Sequence, residues 1–141
     1  MNVVPFLPIH LDDLDLIDQM EFMKPYLKDR LYAGFVDDEK SYSVTSNGKA
    51  IACGGMVKLD DFKWVIWALM GKETASHMTG ITRAVKTFLE QNKKPRIEMH
   101  VRDGFDEAHK WAKILGFECE TPNGMKNWAD RKTYYLYSRC D

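Results

Sequence analysis

Residues 64–91, WVIWALMGKETASHMTGITRAVKTFLEQ, change character twice along their length. Trp64 to Met70 is an apolar run of strand length, followed by Gly71 and a polar segment. The remainder is periodic. Ile81, Ala84, Val85, Phe88 and Leu89 fall at i, i+3, i+4, i+7 and i+8, which predicts an amphipathic helix. A buried strand that feeds a helix through a polar, Gly-containing turn can aim several backbone N–H groups at one spot. Such a spot can hold an anion such as a diphosphate. The same pattern also describes a βα unit with no ligand, and spacing alone leaves both readings open.

With 141 residues the chain predicts a single domain, 1–141, long enough to bury a core. Its net charge of −1 argues against broad attraction to nucleic acid or anionic lipid. A nucleic-acid reading rests only on the scattered Lys93, Lys94, Arg96 and Arg102 and is disfavoured. Cys53, Cys119 and Cys140 form no CxxC pair, so neither a disulfide framework nor a zinc site is expected, and no metal. The opening MNVVPFLPIHLDDLD has no basic stretch before its apolar residues and does not read as a secretory signal. No apolar run approaches the roughly 18 residues that span a bilayer. A soluble, cytoplasmic protein is expected.

The other elements follow in order. Asn2 to Pro8 reads as an edge strand, with prolines at 5 and 8. Leu11, Leu14, Ile17 and Met20 predict a first helix, with Asp12, Asp13, Asp15 and Asp18 on its solvated face. Pro25 opens a second helix through Tyr26, Leu27 and Leu31, ended by Gly34, and Asp37-Asp38-Glu39 is a loop. SYSVTS, Asn47-Gly48 and KAIACGGMVKL form a hairpin, and Gly54-Gly55 marks a bulge or a close backbone approach. Asp60-Asp61 turns the chain into a third strand, Phe62 to Met70, completing an antiparallel meander. After the helix of the opening stretch, Lys93-Lys94-Pro95 breaks the chain. Arg96 to Arg102 then alternates, with Ile97, Met99 and Val101 on one face and Glu98, His100 and Arg102 on the other. A strand after a helix after a strand implies a parallel pair. Phe105, Ala108, Trp111, Ala112 and Leu115 predict another helix, stopped by Gly116. Phe117 to Glu120 and Thr133 to Ser138 are short strands around a Pro122-Asn123-Gly124 turn. The order β-α-α-β-β-β-α-β-α-β-β predicts an α+β sandwich: a mixed, mostly antiparallel sheet flanked by about four helices.

This order and two local patterns resemble the GNAT N-acetyltransferase superfamily over essentially the whole chain. Members carry Q/R-x-x-G-x-G/A after the fourth strand, and here the register is His77-Met78-Thr79-Gly80-Ile81-Thr82. Gly80 is kept, His77 stands for Gln/Arg, and Thr82 stands for the second small residue. Members also read A-x-x-x-Y-x-x-x-G-F, matched by Ala108 to Phe117 with Ala112 in place of the tyrosine that protonates the leaving thiolate. The resemblance implies an acyltransferase that uses acetyl-CoA and an amine acceptor. Ile66, Trp67, Ala68, Leu69 and Met70 would line the pantetheine. Gly71, Lys72 and His77, Met78, Thr79, Gly80, Ile81 and Thr82 would surround the phosphates. The chain is also similar to degenerate forms of this fold in short-tailed bacteriophages, the internal virion protein family. That likeness implies a catalytically inactive protein, virion-associated or bound to a protein partner, in host cytoplasm or virion.

Acyl transfer to an amine needs a base. His100 on the fifth strand is the first candidate because imidazole titrates near neutral pH. Glu98 on the same face is second, and Glu73 beyond the fourth strand is third. The plain alternative for His100 is a surface residue on a solvated strand face. Tyr134, Tyr135 and Tyr137 are candidates for the missing acid, although a Tyr-rich strand more often serves sheet packing. Cys53 and Cys119 have no adjacent basic partner, so a cysteine nucleophile is not expected.

Overall fold

A computed structural model describes residues 1–27 and 40–141. It divides into two compact units, Met1–Val57 with Ile66–Arg83, and Lys58–Val65 with Ala84–Asp141.

In the first unit the strands run in the order β1 (Asn2–Pro5), β2 (Ser41–Ser46), β3 (Lys49–Lys58) and β4 (Trp64–Met70). β1 pairs antiparallel with β2, and β2 with β3. The β2–β3 turn is the expected Asn47-Gly48, whose positive φ of 54° and 79° are what a type I′ turn requires. The register shift lies between Val44 and Thr45. Gly54 and Gly55 mark close approaches: a Cβ on Gly54 would sit 2.9 Å from the Trp67 carbonyl oxygen, and one on Gly55 2.6 Å from that of Lys40. Leu11, Leu16, Cys53 and Leu69 form a buried cluster, flanked by Phe6, Leu14, Met20, Met23, Leu27 and Trp67.

The first predicted helix is not α-helical. Pro8–Asp13 and Asp18–Met23 are separate 3-10 helices. Leu14 is extended and Ile17 precedes the second segment, so the spacing of Leu11, Leu14 and Ile17 does not follow one continuous helix. Between the two segments the backbone bonds to the end of β4 instead of to itself. Ile17 N donates to Met70 O (3.0 Å), Lys72 N donates to Asp15 O (2.7 Å), and Leu16 bridges Gly71. The Asp13 carboxylate accepts from Ala50 N at 3.1 Å, so this acid is structural rather than merely solvated. The second helix is present as α1 (Lys24–Leu27), and Leu31, Gly34 and Asp37 to Glu39, expected to continue and end it and to form the loop beyond, lie outside the described residues.

The second unit holds the β3–β4 turn and the strand order β4, β5 (Ile97–Arg102), β7 (Tyr134–Arg139), β6 (Glu118–Cys119). Phe62 is 74% exposed in that turn, so β4 begins at Trp64 rather than at Phe62. β4 and β5 are parallel, as expected, but their ladder is only Trp64↔Ile97 and Val65↔Glu98. β5 pairs antiparallel with β7 over six residues, and β6 with β7 over two. Helix α2 (Met78–Gln91) begins in the first unit and ends in the second, where Leu89 is fully buried. Helix α3 (Asp106–Ile114) ends at Gly116, whose φ of +89° allows the C-terminal turn. Ile97, Val101, Phe105, Ala112, Leu115 and Phe117 are buried in this unit. The sheet is mixed and mostly antiparallel, as the sequence predicts.

Candidate active site

The expected anion-binding turn lies in the first unit. Gly71 closes β4 with its N–H on Ile51 O at 2.8 Å, and a Cβ there would lie 2.7 Å from the same oxygen. Residues 72–77 are not an open turn. Lys72–His77 is a 3-10 helix that continues directly into α2, with Met78 already in the right-handed helical region. Thr74 is buried, its N–H and its hydroxyl both on Gly71 O at 3.1 and 2.7 Å. Amides expected to converge on a ligand are therefore partly used by the chain itself. Lys72 Nζ lies 3.8 Å from Asp15 and 4.0 Å from Asp18, a loose and exposed pairing.

What remains available is the first turn of α2, which carries no acidic residue to oppose the helix dipole. Gly80, the third residue of α2, is covered by the side chain of Met1, whose Cε would lie 2.8 Å from a Cβ on Gly80. Thr79 is exposed and His77, Met78 and Thr82 are half-buried, whereas Ile81 packs inward. On β4, Leu69 and Met70 are buried, and Trp67 packs edge-to-face on Phe6 at 5.9 Å. Glu73 is exposed in the 3-10 helix, and its carbonyl accepts from Ser76 Oγ at 3.2 Å.

The second unit carries the other two base candidates, on one face of β5. They differ in their surroundings. Glu98 is only 8% exposed and is held by Arg96 Nε at 2.8 Å. The rest of the Arg96 guanidinium forks onto Glu120, at 2.7 and 3.1 Å. This shared arrangement raises the Arg96 pKa and, chiefly through the Arg96 bond, lowers that of Glu120. The Glu98 carboxylate is thus occupied by an ion pair rather than open to a substrate. His100 is exposed on one side and packs its ring against Trp128, centroids 5.8 Å apart at 67°. Desolvation pulls its pKa below the ordinary value, against an opposing pull from Glu98. Its imidazole is therefore neutral near neutral pH, as a base must be. Trp128 is held in a loop where Asn127, Asp130 and Arg131 have positive φ. Nothing in the sequence pairs this loop with β5.

The tyrosines of β7 are committed to other partners. Tyr134 donates to Asp130 at 3.0 Å, beside the Arg102–Asp130 pair at 3.1 Å; burial, then this bond, pushes its pKa up to about 12. Tyr135 is raised chiefly by the charge of Asp103. Tyr137 shares a 2.7 Å hydrogen bond with His109 Nδ1. Ala112 is fully buried, so no acid stands at that position of α3. Burial pushes the Cys53 thiol up to about 11, which makes it inert as a nucleophile. Among the described residues no group of three or more His, Cys, Asp or Glu is placed to hold a metal ion. No described helix is long and apolar enough to cross a membrane.

No protein-family model and no curated protein sequence matches this chain. Solved structures do. The chain is similar to Ard1 from Thermoplasma volcanium, with TM-score 0.74 and 15% identity over 99% of this chain and 96% of that one. It is similar to the ribosomal-protein-S18-alanine N-acetyltransferase from Escherichia coli, with TM-score 0.71 and 14% identity over 99% and 92%. It is also similar to a GNAT-family acetyltransferase from Bacillus anthracis, with TM-score 0.68 and 12% identity over 98% and 93%. At these identities it is the fold that is shared: this chain has the GNAT N-acetyltransferase fold.

Proposed function

We propose that the chain is a GNAT-type N-acetyltransferase, moving the acetyl group of acetyl-CoA to an amine. The observation that carries this reading is the likeness to an N-acetyltransferase over 99% of the chain, with its short β4–β5 ladder and the helix that follows β4. In this reading acetyl-CoA supplies the activated acyl group. Trp67, Ala68, Leu69 and Met70 align its pantetheine, and Gly71, Lys72 and His77 to Thr82 hold its phosphates. His100 takes a proton from the amine. Its neutral imidazole favours it over Glu98, which Arg96 holds in an ion pair, and over Glu73, which stands exposed in the 3-10 helix beyond β4.

Calorimetry with CoA and acetyl-CoA tests the donor half. Submillimolar binding that Gly80→Trp abolishes is expected. Silence at millimolar ligand would sink the reading.

A second reading is favoured by different residues: a GNAT-fold protein without catalysis, virion-associated or bound to a partner. Ala112 is buried where an acid would stand, and residues 72–77 are helical where a phosphate loop is expected. The same calorimetry separates the two, because this reading expects no heat with either ligand.

A further inference from the structure

The glycines of the first unit are crowded by two kinds of atom. Gly54, Gly55 and Gly71 face backbone carbonyl oxygens that cannot move aside. Gly80 faces only the end of a side chain. Beyond its own chain neighbours and helix backbone, the atoms within 4 Å of a Cβ there are Met1 Cε at 2.8 Å and Sδ at 3.7 Å. Met1 is 49% exposed, so it covers this backbone without being buried itself. It also stands outside the β1–β2 ladder, which begins at Asn2↔Thr45. A methionine side chain is unbranched and turns about three bonds, so such a cover can leave without disturbing the sheet.

We propose that Met1 is a displaceable cover on the first turn of α2, and that an acyl-CoA diphosphate reaches Gly80 only when the thioether swings away. This rests on the donor-binding reading of Gly80. The absence of a side chain at position 80 then serves two occupants in turn, the Met1 methyl and the ligand. A site open for only part of the time binds with an affinity reduced by that fraction.

The experiment uses the full chain with residue 1 as Met, Ala or Phe, each released from a cleavable leader so that the position is defined. CoA is titrated calorimetrically into each, with Gly80→Trp in the Met1→Ala background as the site control. Met1→Ala is expected to bind CoA about four- to fifteenfold more tightly, the order of one or two buried methylene groups. Met1→Phe is expected to bind more weakly, and the site control not at all. Thermal midpoints should differ by no more than a few degrees, because the cover stabilises the folded chain only by the same small factor it takes from CoA affinity and residue 1 lies outside the ladder. Equal or weaker CoA affinity in Met1→Ala would overturn the cover while leaving the donor site standing. Tighter binding that survives Gly80→Trp would also overturn it, by placing the ligand elsewhere. No heat in any chain at millimolar CoA would overturn both the cover and the reading beneath it.

Discussion

At the scale of single residues, environment separates candidates that look alike in sequence. Glu98 and His100 share a strand face, yet Arg96 holds the first in an ion pair, and partial desolvation keeps the second uncharged. His100→Ala is therefore expected to abolish turnover while CoA binding, read by calorimetry, is retained; unchanged turnover would remove His100 from the mechanism. The sign of its pH dependence follows from a depressed pKa. The unfolded chain takes up the proton first, so this contribution to stability is complete above the ordinary value of 6.5 and is lost as pH falls through the folded value. Urea midpoints at about pH 7.5 and about pH 5.5 should differ more in the wild type than in His100→Leu. Arg96 gives the stability counterpart. Arg96→Ala leaves the nearly buried Glu98 without its cation and is expected to cost about 3 kcal/mol in urea unfolding. Glu120→Ala removes a more exposed partner and should cost clearly less.

At the scale of elements, the glycines tell a packed backbone from a covered one. Gly54→Ala and Gly71→Ala drive a Cβ to within 2.9 and 2.7 Å of carbonyl oxygens, and each should destabilise by about 1–3 kcal/mol. Gly80→Ala meets only the Met1 methyl and gains helix propensity worth up to about 1 kcal/mol. It is expected to be neutral or stabilising. A thermal melt of the three variants checks the ordering. Where local chemistry sufficed, the elements were legible: Asn47-Gly48 makes its turn, and the 3.6-residue period from Ile81 to Leu89 makes α2. Residues 8–23 were not, because the bonds that hold Asp15 to Ile17 extended come from Met70 and Lys72, more than fifty positions away.

At the scale of the whole chain, the three thiols report on global opening. Cys140 is exposed, Cys119 intermediate and Cys53 buried with its pKa near 11. A thiol reagent should label them in that order, with Cys53 reacting only as fast as the structure opens. Labelling of Cys53 at the rate of Cys140 would contradict the core described for the first unit. The likeness to acetyltransferase structures, at 12–15% identity, says that strand order and helix placement are kept where side chains are not. Fold and activity are separate matters on that footing, since the function of a fold lives in its site.

The sequence alone carried the order of elements along the chain, the hairpin, the parallel crossover and the helical period of α2. Each follows from hydrophobic period, turn chemistry or handedness, and these act between near neighbours along the chain. It could not reveal that Met1 covers Gly80, that Arg96 claims Glu98 and Glu120 together, or that Trp128 lies against His100. Those contacts join residues with no local pattern between them. They exist because folding places side chains side by side in a sheet and its loops, and burial and charge there set which groups are left to act.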